Sequence, residues 1–178
     1  MKQVLSLAAL VLGLSACGAI PTPEVSVPDS TIPLAASMAA SPGKVVYAER
    51  NGLPQTVPAA LKNLTLRGDA TYNRLGGTLT TMNMYVRSSL TDLTGCTVVP
   101  ATPVTPRLFV CDAAAEAAQR IGTLNLQPGV AVPFALSGPA LDAAAHAGSG
   151  YFGMEVVAGS PMDGETVTLS NVKAQAKI

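Results

Sequence analysis

Nucleophilic catalysis in this chain would have to run through a single imidazole, because His146 is the only histidine among 178 residues. A Ser-His or Cys-His pair needs the base within hydrogen-bond reach of the nucleophile and a third group to orient it. The sequence around His146 offers no such partners. It stands near the end of the Ala-rich stretch 139–147, where a cationic side chain complements the dipole of a helix C-terminus. The strand-to-helix motif Gly-x-Ser-x-Gly is missing beyond residue 17, and Ser149, held between Gly148 and Gly150, reads as a flexible turn.

The carboxylates give no better foothold. Asp112 and Glu116 are four residues apart and could share one face of a helix, but with no histidine nearby the expectation is a solvated face. Asp163 and Glu165 flank Gly164 without the Asp-rich calcium loop around them, so they read as turn residues. No phosphate-cradling glycine pattern follows a strand, which removes the usual nucleotide sites. Aromatic residues make up 4% of the chain and Trp is absent, which argues against stacking platforms for sugars or unpaired bases. These observations point to a protein that is not an enzyme and holds no metal or cofactor.

The N-terminus is the most specific feature. Met1-Lys2-Gln3 carries one positive charge, an apolar run follows from Val4 to Leu14, and small residues lead to Cys17. That is the layout of an export signal, and the run is shorter than the roughly 20 apolar residues a membrane span requires. Leu14-Ser15-Ala16-Cys17 resembles the lipobox of bacterial lipoproteins at every position. The resemblance implies cleavage between Ala16 and Cys17, a diacylglyceryl group on the Cys17 sulfur, and a membrane as partner. Two or more acyl chains give stable attachment, since each buried methylene contributes about 0.8 kcal/mol. Gly18 stands where an Asp would retain such a protein at the inner membrane of many double-membraned bacteria, so the outer membrane is favoured over the cell membrane.

Without residues 1–16 about 160 residues remain, enough for one self-sufficient core. Lys2 leaves with the signal, so ten basic side chains face eleven acidic ones, and no strong field recruits nucleic acid. Cys96 and Cys111 are left to pair with each other in an oxidising compartment. The bridge closes a loop of about 16 residues and contributes on the order of 3 kcal/mol.

Residues 17–43 read as a lipidated tether, with Pro21, Pro23, Pro28, Pro33 and Pro42 among Ser, Thr and Ala. Fully extended, it would hold the domain roughly 75 Å from the bilayer. In residues 44–178 the dominant period is two. Leu64, Leu66, Ala70 and Tyr72 form one apolar face, and Met82, Met84 and Val86 form another beyond Gly76-Gly77, together suggesting a hairpin. Leu124 and Leu126, the run from Val130 to Leu136 with Pro133 suited to a sheet edge, and Phe152 to Val156 add strands. The final run changes phase between Leu169 and Val172, which predicts a bulge near Ser170-Asn171. Short helices are expected over 113–120, capped by Asp112, and over 139–147, opened by Pro139 and ended by Gly148. The sum is an all-β antiparallel sandwich or barrel of about seven to eight strands.

Two functions fit. The first is a membrane-anchored envelope lipoprotein whose β-domain binds another envelope protein or supports the envelope. The second is a carrier of an apolar ligand such as lipid, suggested by Met82, Met84 and Met154, whose soft side chains suit a variable cavity. Replacing Cys17 with Ser should leave the chain unprocessed and missing from the lipidated membrane fraction on metabolic labelling with palmitate. Normal processing and retention of that variant would contradict the lipobox reading.

Overall fold

The computed structural model describes residues 20–38, 42–91, 93–103 and 106–178. The signal, the lipobox and Cys17 lie outside the described residues. Eleven strands and one α-helix are described: β1 (Val25–Ser26), β2 (Ser30–Pro33), β3 (Lys44–Asn51), β4 (Lys62–Asn73), β5 (Thr81–Arg87), β6 (Thr97–Val99), β7 (Leu108–Asp112), β8 (Arg120–Asn125), β9 (Ala131–Ser137), α1 (Pro139–Ala147), β10 (Tyr151–Ala158) and β11 (Thr166–Lys177). They form two antiparallel sheets packed as a sandwich and not closed into a barrel. In one sheet β11 and β4 are central, β9 is one edge, and β1 and β2 pair with separate stretches of the far side of β11. The other runs β6-β7-β3-β10-β5-β8.

Period-two patterning explains the core. Leu64, Leu66, Ala70 and Tyr72 of β4 are buried and face Met82, Met84 and Val86 of β5 across the sandwich. The two runs do not form the expected hairpin, because β4 and β5 belong to different sheets and the Gly76-Gly77 turn carries the chain from one layer to the other. A hairpin would have left both apolar faces on the same side with nothing to cover them. Pro133 does sit in an edge strand, where its missing N–H is harmless.

The bulge predicted in the last strand is present. The register of β11 against β4 shifts between Ser170 and Lys173, and Asn171 adopts φ +53°. Its partner position is Gly68, where a Cβ would lie 2.7 Å from the Ser170 carbonyl oxygen and 3.1 Å from Val172 Cα. Glycine lets β4 accept the extra residue without being pushed away.

Helix α1 has the anticipated limits, with Pro139 in the first turn and Gly148 as a left-handed C-cap at φ +63°. Residues 113–120 differ from expectation. They form turns and a short 3-10 segment, Ala117–Gln119, before β8 begins at Arg120. Asp112 accepts the Ala114 N–H at 3.2 Å, closing a local turn instead of starting an α-helix.

Cys96 and Cys111 are joined in a disulfide. It ties the 88–107 connection, which contains β6, to β7. A second small core of Val45, Tyr47, Tyr85, Phe109 and Cys111 is thereby covered on the outer face of the second sheet.

The largest departure from the sequence reading is the tether. Ile20 exchanges backbone hydrogen bonds with Ile178, Thr22 pairs with Ala176, and Val27 donates to Val172. β2 lies along Thr166–Leu169, and Leu34 is buried. Pro21 and Pro33 occupy bridge and strand positions against Lys177 and Thr166 at the outer edge of the sheet, so residues 20–33 pack along β11 and do not remain a free spacer.

Candidate functional site

Three places gather side chains that could do chemistry or bind. The first is Glu165, which has no exposed surface at all. One carboxylate oxygen accepts the N–H groups of Leu75, Gly76 and Gly77 at 2.7–2.8 Å, and the other accepts the Met162 N–H at 2.7 Å and the Tyr72 hydroxyl. Burial acts to raise its pKa, but the donated hydrogen bonds outweigh burial and hold the group well below the ordinary carboxylate range. Tyr72 is pushed up to about 12 by its own burial and by donating to that carboxylate. A Cβ at position 77 would collide with the Glu165 carboxylate, the Tyr72 hydroxyl and the Ser160 carbonyl, so glycine is required where the chain crosses between sheets. All acceptor capacity is spent on the protein's own donors, which makes this a structural anion.

The second cluster lies on the outer face of the β3-β10-β5 sheet. Arg87 grips Glu116 through two bonds of 2.6 and 2.7 Å, and the Tyr47 hydroxyl donates to the same carboxylate at 2.8 Å. Burial works against the Glu116 charge, yet Arg87 and Tyr47 keep its pKa below the usual value. Tyr47 is raised far above a free phenol by burial and by Glu116. Nearby, Tyr85 and Asn83 donate to Glu155 at 2.6 and 2.9 Å, and Tyr85 is pushed up to about 12 by burial and that bond. Glu116 is also close to both disulfide sulfurs. Those sulfurs are bonded to each other and the carboxylate is committed to Arg87 and Tyr47, so the trio presents no open ligand set. Glu116 is thus a buried ion-pair partner, not the solvated residue its spacing from Asp112 suggested.

The third place is a cleft of about 1110 Å³ between the sheets. Leu64 and Leu66 of β4, Phe134 and Leu136 of β9, and Leu169 and Val172 of β11 line one wall. Met84, Phe152, Met154 and Ala48 line the other. Its rim is the β1–β2 strand segment on one side and residues 50–57 on the other. Phe152, Met154, Leu169, Leu53 and Val57 are only half-buried although they point into the sandwich, as expected where two apolar walls stand apart. Of the three methionines singled out from the sequence, Met84 and Met154 reach the cleft, while Met82 is fully buried in the filled part of the core.

The loop over the cleft is fastened to α1. His146 Nε2 lies 2.7 Å from the Leu61 carbonyl oxygen, Val57 donates to Ala145, and the Asn51 side chain accepts the N–H groups of Leu53 and Gly150. His146 therefore has a positioning role at the rim, with no nucleophile beside it among its described contacts. On β3, Ala48 and Arg50 both line the cleft, where the β3–β10 register shifts between Tyr47 and Asn51, so an apolar wall position is followed at the rim by a guanidinium. Arg50 is exposed and has no ion-pair or hydrogen-bond partner among the described residues. Sequence reasoning missed it because 44–51 was not recognised as a strand.

In comparisons with protein-family models, with curated proteins and with solved structures, nothing matches this chain.

Glu165 gives a stability signature. Its pKa is depressed in the folded state, so below the unfolded value of about 4.3 the unfolded chain binds more protons. Stability is complete above that pH and should fall steadily as the solution is acidified from about pH 4.5. Glu165→Gln should cost about 3 kcal/mol or more in urea unfolding at pH 7, because backbone donors lose a charged acceptor. It should also flatten the acid limb, and an unchanged midpoint with an unchanged acid limb would contradict this assignment.

Proposed function

We propose that the protein is a lipid-anchored envelope lipoprotein whose sandwich carries an apolar ligand in the cleft between its sheets. The observation that carries this reading is the cleft itself. A sandwich of this size ordinarily fills its interior to crystal-like density. Here the walls are Leu, Phe, Met and Val, and the space exceeds the roughly 300–1000 Å³ of common small-molecule sites. Apolar wall left facing water is unfavourable by about 25 cal/mol per Å², and a hydrocarbon occupant removes that term.

The anchor supports the same reading. If Cys17 carries lipid, only Gly18 and Ala19 lie between it and Ile20, which is already paired to Ile178, and three residue steps span at most about 10 Å. Thr22 lies on the cleft wall, so the opening is kept near the acyl-chain source instead of at the end of a long spacer. A carrier that loads from its own membrane needs that proximity.

Native mass spectrometry of protein purified from its host in mild detergent should reveal a co-purifying lipid. Ala48→Trp, which projects an indole from the wall into the cleft, should remove that mass without lowering the thermal midpoint. Persistently empty wild-type protein would contradict the reading.

A further inference from the structure

We infer that the cleft's occupant is an anionic phospholipid, with its acyl chains between the sheets and its phosphate at the Arg50 guanidinium. This rests on the apolar-ligand reading and specifies its ligand. Arg50 and Asp29 are the charged side chains on the cleft wall. Asp29 accepts the Asn171 N–H at the β11 bulge at 3.2 Å, so its carboxylate is engaged by the protein's own backbone. Arg50 has no such engagement, and it lines the cleft two residues beyond Ala48, an apolar wall residue of the same strand. An unpaired cation at the end of an apolar wall matches an amphiphile whose charge is negative and whose chains lie deeper. The planar five-donor fork of arginine suits a phosphate oxygen pair. Asn51 and Gln55 continue the polar rim on the same side. A volume of about 1110 Å³ favours a two-chain lipid over a single-chain acid.

The test uses the full lipidated protein in phosphatidylcholine vesicles containing a trace of phosphatidylglycerol with a photoactivatable acyl chain. Parallel samples carry diacylglycerol or free fatty acid with the same photoactivatable group. Adducts are mapped by peptide mass spectrometry. Phosphatidylglycerol should label the peptides bearing Met84, Phe152 and Met154 about tenfold more than diacylglycerol. Arg50→Gln should bring it down to the diacylglycerol level while diacylglycerol labelling stays constant, a tenfold change equivalent to about 1.4 kcal/mol. Arg50 makes no described contact that folding needs, so an unchanged thermal midpoint should accompany the loss. Cleft labelling that is equal for phosphatidylglycerol and diacylglycerol, or insensitive to Arg50→Gln, overturns the headgroup assignment and leaves the apolar carrier standing. Stronger labelling by the fatty acid overturns the two-chain assignment, and no labelling of the cleft by any probe overturns both readings.

Discussion

Glu165 sits where the two sheets are joined, and among the described residues no cation forms an ion pair with its carboxylate. Five donors from Tyr72, the 75–77 turn and Met162 satisfy it instead. Burying a bare carboxylate is prohibitive, and satisfying it fully converts that cost into a demand for one backbone path. The crossing from β4 toward β5, the approach to β11, and the glycine at position 77 all follow from that demand. With one end of β4 locked at Tyr72, the other end contributes Leu64 and Leu66 to the cleft wall.

The molecule is therefore firm at one end and open at the other. The closed half is packed with Tyr72, Leu79, Met82, Leu124 and Val167, all with essentially no exposure. The open half adds Phe152, Met154, Leu169, Leu53 and Val57, equally apolar but only partly covered, beside buried wall residues such as Leu64, Leu66 and Phe134. The outer face of the second sheet is fixed independently by the disulfide and the Arg87–Glu116 pair. Breaking such a buried pair by removing one partner leaves an uncompensated charge, which gives that face its rigidity. Opening of the cleft consequently need not disturb either polar network.

Much of this fold was legible in the sequence because β-structure with one wet face writes a period of two into the residues. That pattern located β4, β5, β9, β10 and β11, and its change of phase located the bulge at Asn171. Pro139 and Gly148 marked α1 because each has a specific backbone role. The pairing of Cys96 with Cys111 followed from the redox compartment and from there being no other partner. The N-terminal strand segment was not legible, since its prolines mimic a spacer and its ladder partner lies some 140 residues away in β11. Nor were Glu165 and Glu116 as buried groups, because their donors are brought in by tertiary structure from as far as 93 residues away. Arg50 could have been noticed as a charge two residues beyond Ala48 had 44–51 been read as a strand.

On the proposed reading, the apolar space between the sheets stays open because a lipid fills it. An experimental structure of the protein purified from its host without delipidation addresses this directly. Continuous hydrocarbon density between Phe134 and Met154, running toward Arg50, is the predicted result. Walls collapsed onto each other, with Met84, Phe134 and Phe152 in mutual contact and no density between them, would contradict it.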